Sequence, residues 1–114
     1  MIAFKLTNEN IRSWGFWEVA PGSTKYVINR WIKPIKKQGP LTVFKNYSDL
    51  IKFREGEYGY SMGGVRSFIC EIKKSRAKKI WCSLGGPTKI STKLPCLPNG
   101  TILCSSVKLL KEIT

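Results

Sequence analysis

The chain has 114 residues, 42% of them apolar, with four Trp, four Tyr and five Phe. That suffices for one folded domain over residues 1–114 and excludes a disordered basic tail. Twenty Lys and Arg face seven acids, with no His and a net charge of +13, so histidine acid–base chemistry and His-containing zinc sites are excluded.

Ile2, Phe4 and Leu6 alternate with smaller or polar residues, which predicts a first strand with one buried face. A turn at 7–10 leads to the aromatic stretch Trp14, Phe16 and Trp17, closed by Pro21-Gly22-Ser23. These rings either pack on a sheet or leave one, such as Trp17, free to stack on a base. Residues 25–33 read as a second strand, stopped by Pro34. Gly39-Pro40 opens a third, Leu41 to Phe44.

One helix is predicted, about 47–54. Asn46 or Ser48 caps it, Asp49 suits its positive end, and Tyr47, Leu50, Ile51 and Phe53 form an apolar stripe. It ends in Arg54-Glu55-Gly56, and residues 56–64 read as a glycine-rich loop. Strands follow at 67–72 and 78–83, joined by a basic turn, and 84–98 reads mostly as loop. Pro98-Asn99-Gly100 signals a tight turn before Thr101 to Cys104. The closing run Val107 to Ile113 fits helix or strand, and its alternation favours strand. The expected fold is α+β, with a largely antiparallel, barrel-like sheet of about seven strands and one short helix.

Cys70, Cys82, Cys96 and Cys104 lack C-x-x-C spacing, so buried reduced thiols are expected and no metal site. A bridge from Cys82 to Cys96 or Cys104 is the alternative. The N-terminus lacks a signal-peptide pattern and no window approaches 18 apolar residues, which together predict a cytoplasmic protein without a membrane span.

The segments GPLTVFKNYSDLIKF, SFICEIKKSRAKKIW and LPNGTILCSSVKLLKEIT resemble a small uncharacterised family of phage and prophage proteins. The likeness rests on Phe44 to Phe53, Phe68 to Ile72 and the closing pattern from Pro98 to Leu110. It covers about half the chain, carries structural rather than catalytic motifs, and implies a viral origin. Small basic phage proteins without catalytic signatures are often anti-defence factors, nucleic-acid binders or inhibitors of host proteins.

The charge is concentrated. Residues 25–45 hold six basic residues and no acid, and residues 66–93 hold eight against Glu71. Such an excess points to an anionic partner. Tyr58, Tyr60, Ser61, Gly63, Gly64 and Arg66 combine backbone amides, hydroxyls, rings and a guanidinium, which suits phosphate. This loop matches no nucleotide-binding fingerprint, and a plain surface loop is its other reading. Arg54 or Arg30 is expected to add a second phosphate contact, and Trp31, beside Arg30 and Lys33, to stack on a base.

No catalytic constellation and no cofactor motif is present, so a binding protein is expected rather than an enzyme. The expected function is sequestration of an anionic nucleotide immune signal by a phage anti-defence protein, a cyclic nucleotide sponge. Nucleic-acid binding, or inhibition of an acidic host protein, is the alternative. A homo-oligomer, most simply a dimer joined through residues 13–19, completes the expectation.

Overall fold

A computed structural model describes residues 1–7, 9–11, 24–34, 40–56, 65–83, 89–93 and 97–113. The elements are β1 (Ile2–Thr7), β2 (Trp31–Ile32), β3 (Leu41–Phe44), α1 (Tyr47–Gly56), β4 (Arg66–Lys74), β5 (Lys79–Ser83), β6 (Lys89–Lys93) and β7 (Thr101–Ile113). The class is α+β, with a mostly antiparallel sheet and one helix among the described residues.

The main sheet has five strands rather than about seven, in the order β2-β7-β3-β1-β4, while β5 and β6 form a separate antiparallel pair. β1 pairs with β3 and with β4, and β7 pairs with the same two, so four strands are linked in a ring of antiparallel pairings. The long β7 makes this ring possible. Its thirteen residues pair with β3 through Thr101–Cys104 and with β4 through Cys104–Ile113. Thr101 to Cys104 and Val107 to Ile113 are therefore one strand. Register shifts leave Ser105 and Leu110 as extra residues on β7, and such bulges let a strand bend and twist without ending.

Alternation sorts the core. Ala3, Leu41, Val43, Phe68, Cys70, Ile72, Cys104, Val107 and Leu109 form one buried cluster, closed by Tyr26. Leu6, Phe44 and Leu50 form a second, flanked by Phe4, Tyr47, Ile51 and Phe53. β1 thus buries both faces, one against the first cluster and the other beneath α1. The expectation of one buried face is corrected on this point, and Ile2, which it placed inside, is half exposed.

The helix keeps its predicted stripe but runs to Gly56. Asn46 starts it, with its carbonyl accepting from the backbone of Leu50 at 3.3 Å and its amide donating to Asp49 Oδ2 at 3.2 Å. Phe4–Tyr47 and Phe44–Phe53 ring pairs, 5.6 and 5.5 Å apart, fasten it to β1 and β3.

Two further expectations are corrected. The predicted strand 25–33 shrinks to Trp31–Ile32, because Arg30 N–H donates to Val27 O in a turn and Asn29 adopts a φ of 66°. Asparagine tolerates that left-handed conformation better than most residues. The predicted loop 84–98 contains β6, whose Ile90 and Thr92 are strand formers paired with β5. The proposed interface at 13–19 lies outside the described residues. So do Cys96, one of the two partners in the alternative disulfide reading of Cys82, and the loop from 57 to 64. Cys70 and Cys104 are free and buried, so the Cys82–Cys104 bridge is absent. No described helix is long and apolar enough to cross a membrane.

Candidate nucleic-acid interface

While α1 lies over β1 and β3, a second sheet surface is built by β4, β7 and β2. Cys70, Ile72, Val107 and Leu109 turn inward, so Ile69, Glu71, Lys73, Ser106 and Lys108 turn outward. The pairings Trp31↔Lys108 and Lys108↔Glu71 set these three residues in one row across the sheet. Lys73↔Ser106 forms the next row, and Ile69↔Lys111 lies on the other side. Ile32 packs on the core, so the alternation that aims Trp31 outward carries Lys33 to the same side.

Trp31 is 40% exposed, although a large aromatic ordinarily hides more of its surface. The ammonium groups of Lys73 and Lys108 stand 4.7 and 5.2 Å from its ring centre. Each such contact contributes about 0.5–1 kcal/mol at an exposed site and fixes the charge near the ring. Ser106, small and buried, leaves room for Lys73 to reach across β7. Glu71 Oε2 lies 3.8 Å from Lys108 Nζ and offsets part of its charge. Four lysines (33, 73, 108 and 111) against one carboxylate leave the face at about +3. Exposed Arg30 immediately precedes β2 and exposed Arg76 and Lys78 follow β4, whereas Lys74, paired with inward-facing Cys104, falls by alternation on the other side of the sheet.

No protein-family model, curated protein or solved structure matches the chain. The site must therefore be read from its own chemistry. It offers an aromatic face beside fixed ammonium groups, a pairing suited to a base and its phosphates. Among the described residues, no group of three or more Cys, Asp or Glu is placed to hold a metal ion.

The residues singled out from the sequence fall into two groups. Trp31 belongs to the face just described, and exposed Arg30 precedes it in the turn before β2. Arg66 and Arg54 do not belong to it. Arg66 donates from Nε and Nη2 to both oxygens of Glu112, at 2.8 and 2.7 Å, and its Nη1 reaches Glu9 O at 3.4 Å. This pairing raises the Arg66 pKa and holds the Glu112 carboxyl below its ordinary value. The guanidinium also lies 5.4 Å from the Phe68 ring centre. A phosphate at Arg66 would have to displace Glu112. Arg54 donates to Ser67 Oγ at 3.2 Å and stands 3.5 Å from Glu55. Five residue steps along β4 separate Arg66 from the Trp31 row at Glu71, roughly 16 Å of strand. Tyr58, Tyr60, Ser61, Gly63, Gly64 and Trp17 lie outside the described residues.

Sequence alternation alone does not bring Lys73, Lys108 and Lys111 to Trp31. They lie on strands some 40 to 80 positions away, and only the β2–β7 and β7–β4 pairings unite them. The signal available was the outward run Ile69-x-Glu71-x-Lys73, which reads as a solvated strand face until its neighbours are known.

A further charged group is buried in the strand ring. Lys5 is 3% exposed, donates to Thr42 O at 2.6 Å, and lies 5.4 Å from the Tyr26 ring centre. Burial lowers its pKa to about 8, against an upward pull from Cys104 and Cys70. Burial pushes the Cys70 thiol up to about 12 and the Cys104 thiol up to about 11, against the pull of Lys5.

Proposed function

We propose that this chain is a non-catalytic binding protein for a ligand that carries both phosphate and a nucleobase, held on the outer face of β2, β7 and β4. The observation that carries the reading is the exposed Trp31 ring with Lys73 and Lys108 at 4.7 and 5.2 Å. A base stacks on the indole and the phosphates meet the ammonium groups. The net charge of +13 adds attraction at long range and speeds capture. The ring of pairings β1-β3-β7-β4 supports a barrel-like reading of the sheet, with this face on its outer wall.

Binding without turnover is the chemistry an anti-defence sponge requires. In the phage setting that the resemblance implies, the protein would act by stoichiometric capture in the host cytoplasm, on a nucleotide immune signal or on nucleic acid. The test is a thermal-shift panel of cyclic and linear nucleotides and short oligonucleotides at physiological salt, for wild type and Trp31→Ala. A ligand at a thousandfold excess over Kd stabilises the fold by about 4 kcal/mol. Stabilisation of wild type that Trp31→Ala loses is the expected result. Absence of stabilisation by the whole panel, or equal stabilisation of both proteins, overturns the reading.

A further inference from the structure

The Trp31 face has more cationic positions than one nucleotide uses, and they are spread out. From Ile69 to Lys73 along β4 is four residues, roughly 13 Å. Lys111 belongs to the row at one end of that span, Lys73 to the row at the other, and the Trp31–Lys108 row lies between them. Beyond the Lys73 row the chain carries two further exposed basic residues, Arg76 and Lys78. A stacked strand advances about 3.4 Å per phosphate, so the face alone spans several phosphates.

Its form also selects among polyanions. The outward surface of a sheet gives a ligand free ends and room to run on, unlike a recess closed around a small molecule. A duplex keeps its bases stacked inside and would use only the lysines, leaving the exposed indole without a role. A single strand can present an unstacked base to the ring while its backbone follows the lysines. Among the described residues the one helix, α1, packs its apolar side on β1 and β3 and is not part of the basic face.

Resting on the reading of this face as the binding site, we infer that the ligand is single-stranded nucleic acid. It lies on the face of β2, β7 and β4 with one base on Trp31 and phosphates along its backbone at Lys111, Lys108 and Lys73. Glu71, 3.8 Å from Lys108, competes with the phosphate at that position and weakens binding there.

The experiment titrates the full chain by fluorescence anisotropy. Its probes are a labelled mononucleotide, single-stranded oligonucleotides of about 2 to 12 residues, and a duplex of the longest sequence, at roughly 50 and 200 mM salt. Affinity is expected to rise with strand length and then level off, with the duplex and mononucleotide both weaker. Trp31→Ala should weaken the longest strand by about tenfold and Trp31→Phe by less, because a stacking ring remains. Lys73→Ala and Lys108→Ala should each lower the salt slope by about one, and Glu71→Gln should tighten binding. Melting curves of the variants report their folding independently.

A mononucleotide bound as tightly as the longest strand, and weakened by Trp31→Ala, overturns the single-strand inference while leaving the binding face intact. Duplex bound as well as single strand has the same consequence if the lysine variants still weaken it. Binding to no probe, or binding unchanged in all the folded variants, overturns both readings.

Discussion

The Lys5 ammonium donates to the Thr42 carbonyl at 2.6 Å, tying β1 to β3 from within the ring of strands. Alternation with Ala3 and Thr7 leaves its side chain no route to water. None of the ion pairs among the described residues includes it. Burial therefore dominates, and the pKa falls from 10.5 to about 8.

The consequence for stability has a definite sign. The unfolded chain holds the Lys5 proton more tightly, so the penalty is fully present below pH 8. It is relieved as pH rises from about 8 to 10.5. Its full size is roughly 3 kcal/mol, reduced in a variant by the cost of leaving the Thr42 carbonyl unpaired. Lys5→Met should be about 1 kcal/mol more stable than wild type at pH 7, and this advantage should shrink through pH 8–10. Urea denaturation across that range measures it. A difference that stays constant with pH would show that Lys5 does not change its proton affinity on folding.

Cys70 and Cys104 give the opposite slope. Their thiols are pushed up to about 12 and about 11, from 9.0, chiefly by burial. The folded state holds these protons more tightly, so their contribution is complete below pH 9 and is lost as pH climbs to about 11 for Cys104 and about 12 for Cys70. The thiolate is the reactive form. Alkylation at pH 8 should therefore spare both residues in the native protein and modify both in urea, as read by peptide mass spectrometry. Rapid native labelling of either would contradict its burial.

Local signals were legible and distant ones were not. Asn46, Asp49 and the stripe from Tyr47 to Phe53 specify the helix within about ten residues, where capping and periodicity act. The turn at Pro98–Gly100 is equally local, with Thr101 N–H donating to Pro98 O. β7 looked like two segments because the extra residue Ser105 falls between them and breaks the alternation, and a bulge conceals the period of two. Lys5 looked like a solvent-facing residue of an amphipathic strand. Its burial follows from β1 lying between α1 and the main core, which no local pattern encodes. Likewise Arg66 resembled a free phosphate ligand because its partner, Glu112, lies 46 residues away.

That pairing yields a prediction of its own. Arg66→Ala removes a bidentate contact between β4 and the end of β7, together with the Glu9 carbonyl contact. Both partners are partly exposed, so a small fall in melting temperature is expected, diminishing at high salt. Nucleotide and oligonucleotide affinity should change far less than in Trp31→Ala. A loss of affinity equal to that of Trp31→Ala would return Arg66 to the binding site.

Gly100 is where the tight turn meets the helix. Its φ is +80°, a conformation L side chains rarely adopt, and a Cβ built there meets the Asp49 carboxylate. The same residue accepts from Lys45 N–H through its carbonyl at 2.7 Å, so the turn cannot move away without breaking a hydrogen bond. Displacing Asp49 would also cost its contact with the Asn46 amide and its place near the helix N-terminus. Gly100→Ala should thus destabilise the protein by about 1–3 kcal/mol through backbone strain and collision together. The two causes separate in a double-mutant cycle. On an Asp49→Ala background the collision with the carboxylate is removed, leaving the Cβ contact at 3.0 Å and the strain, so Gly100→Ala should cost less there by more than about 0.5 kcal/mol. Equal costs on both backgrounds would mean that backbone conformation alone demands glycine at this turn.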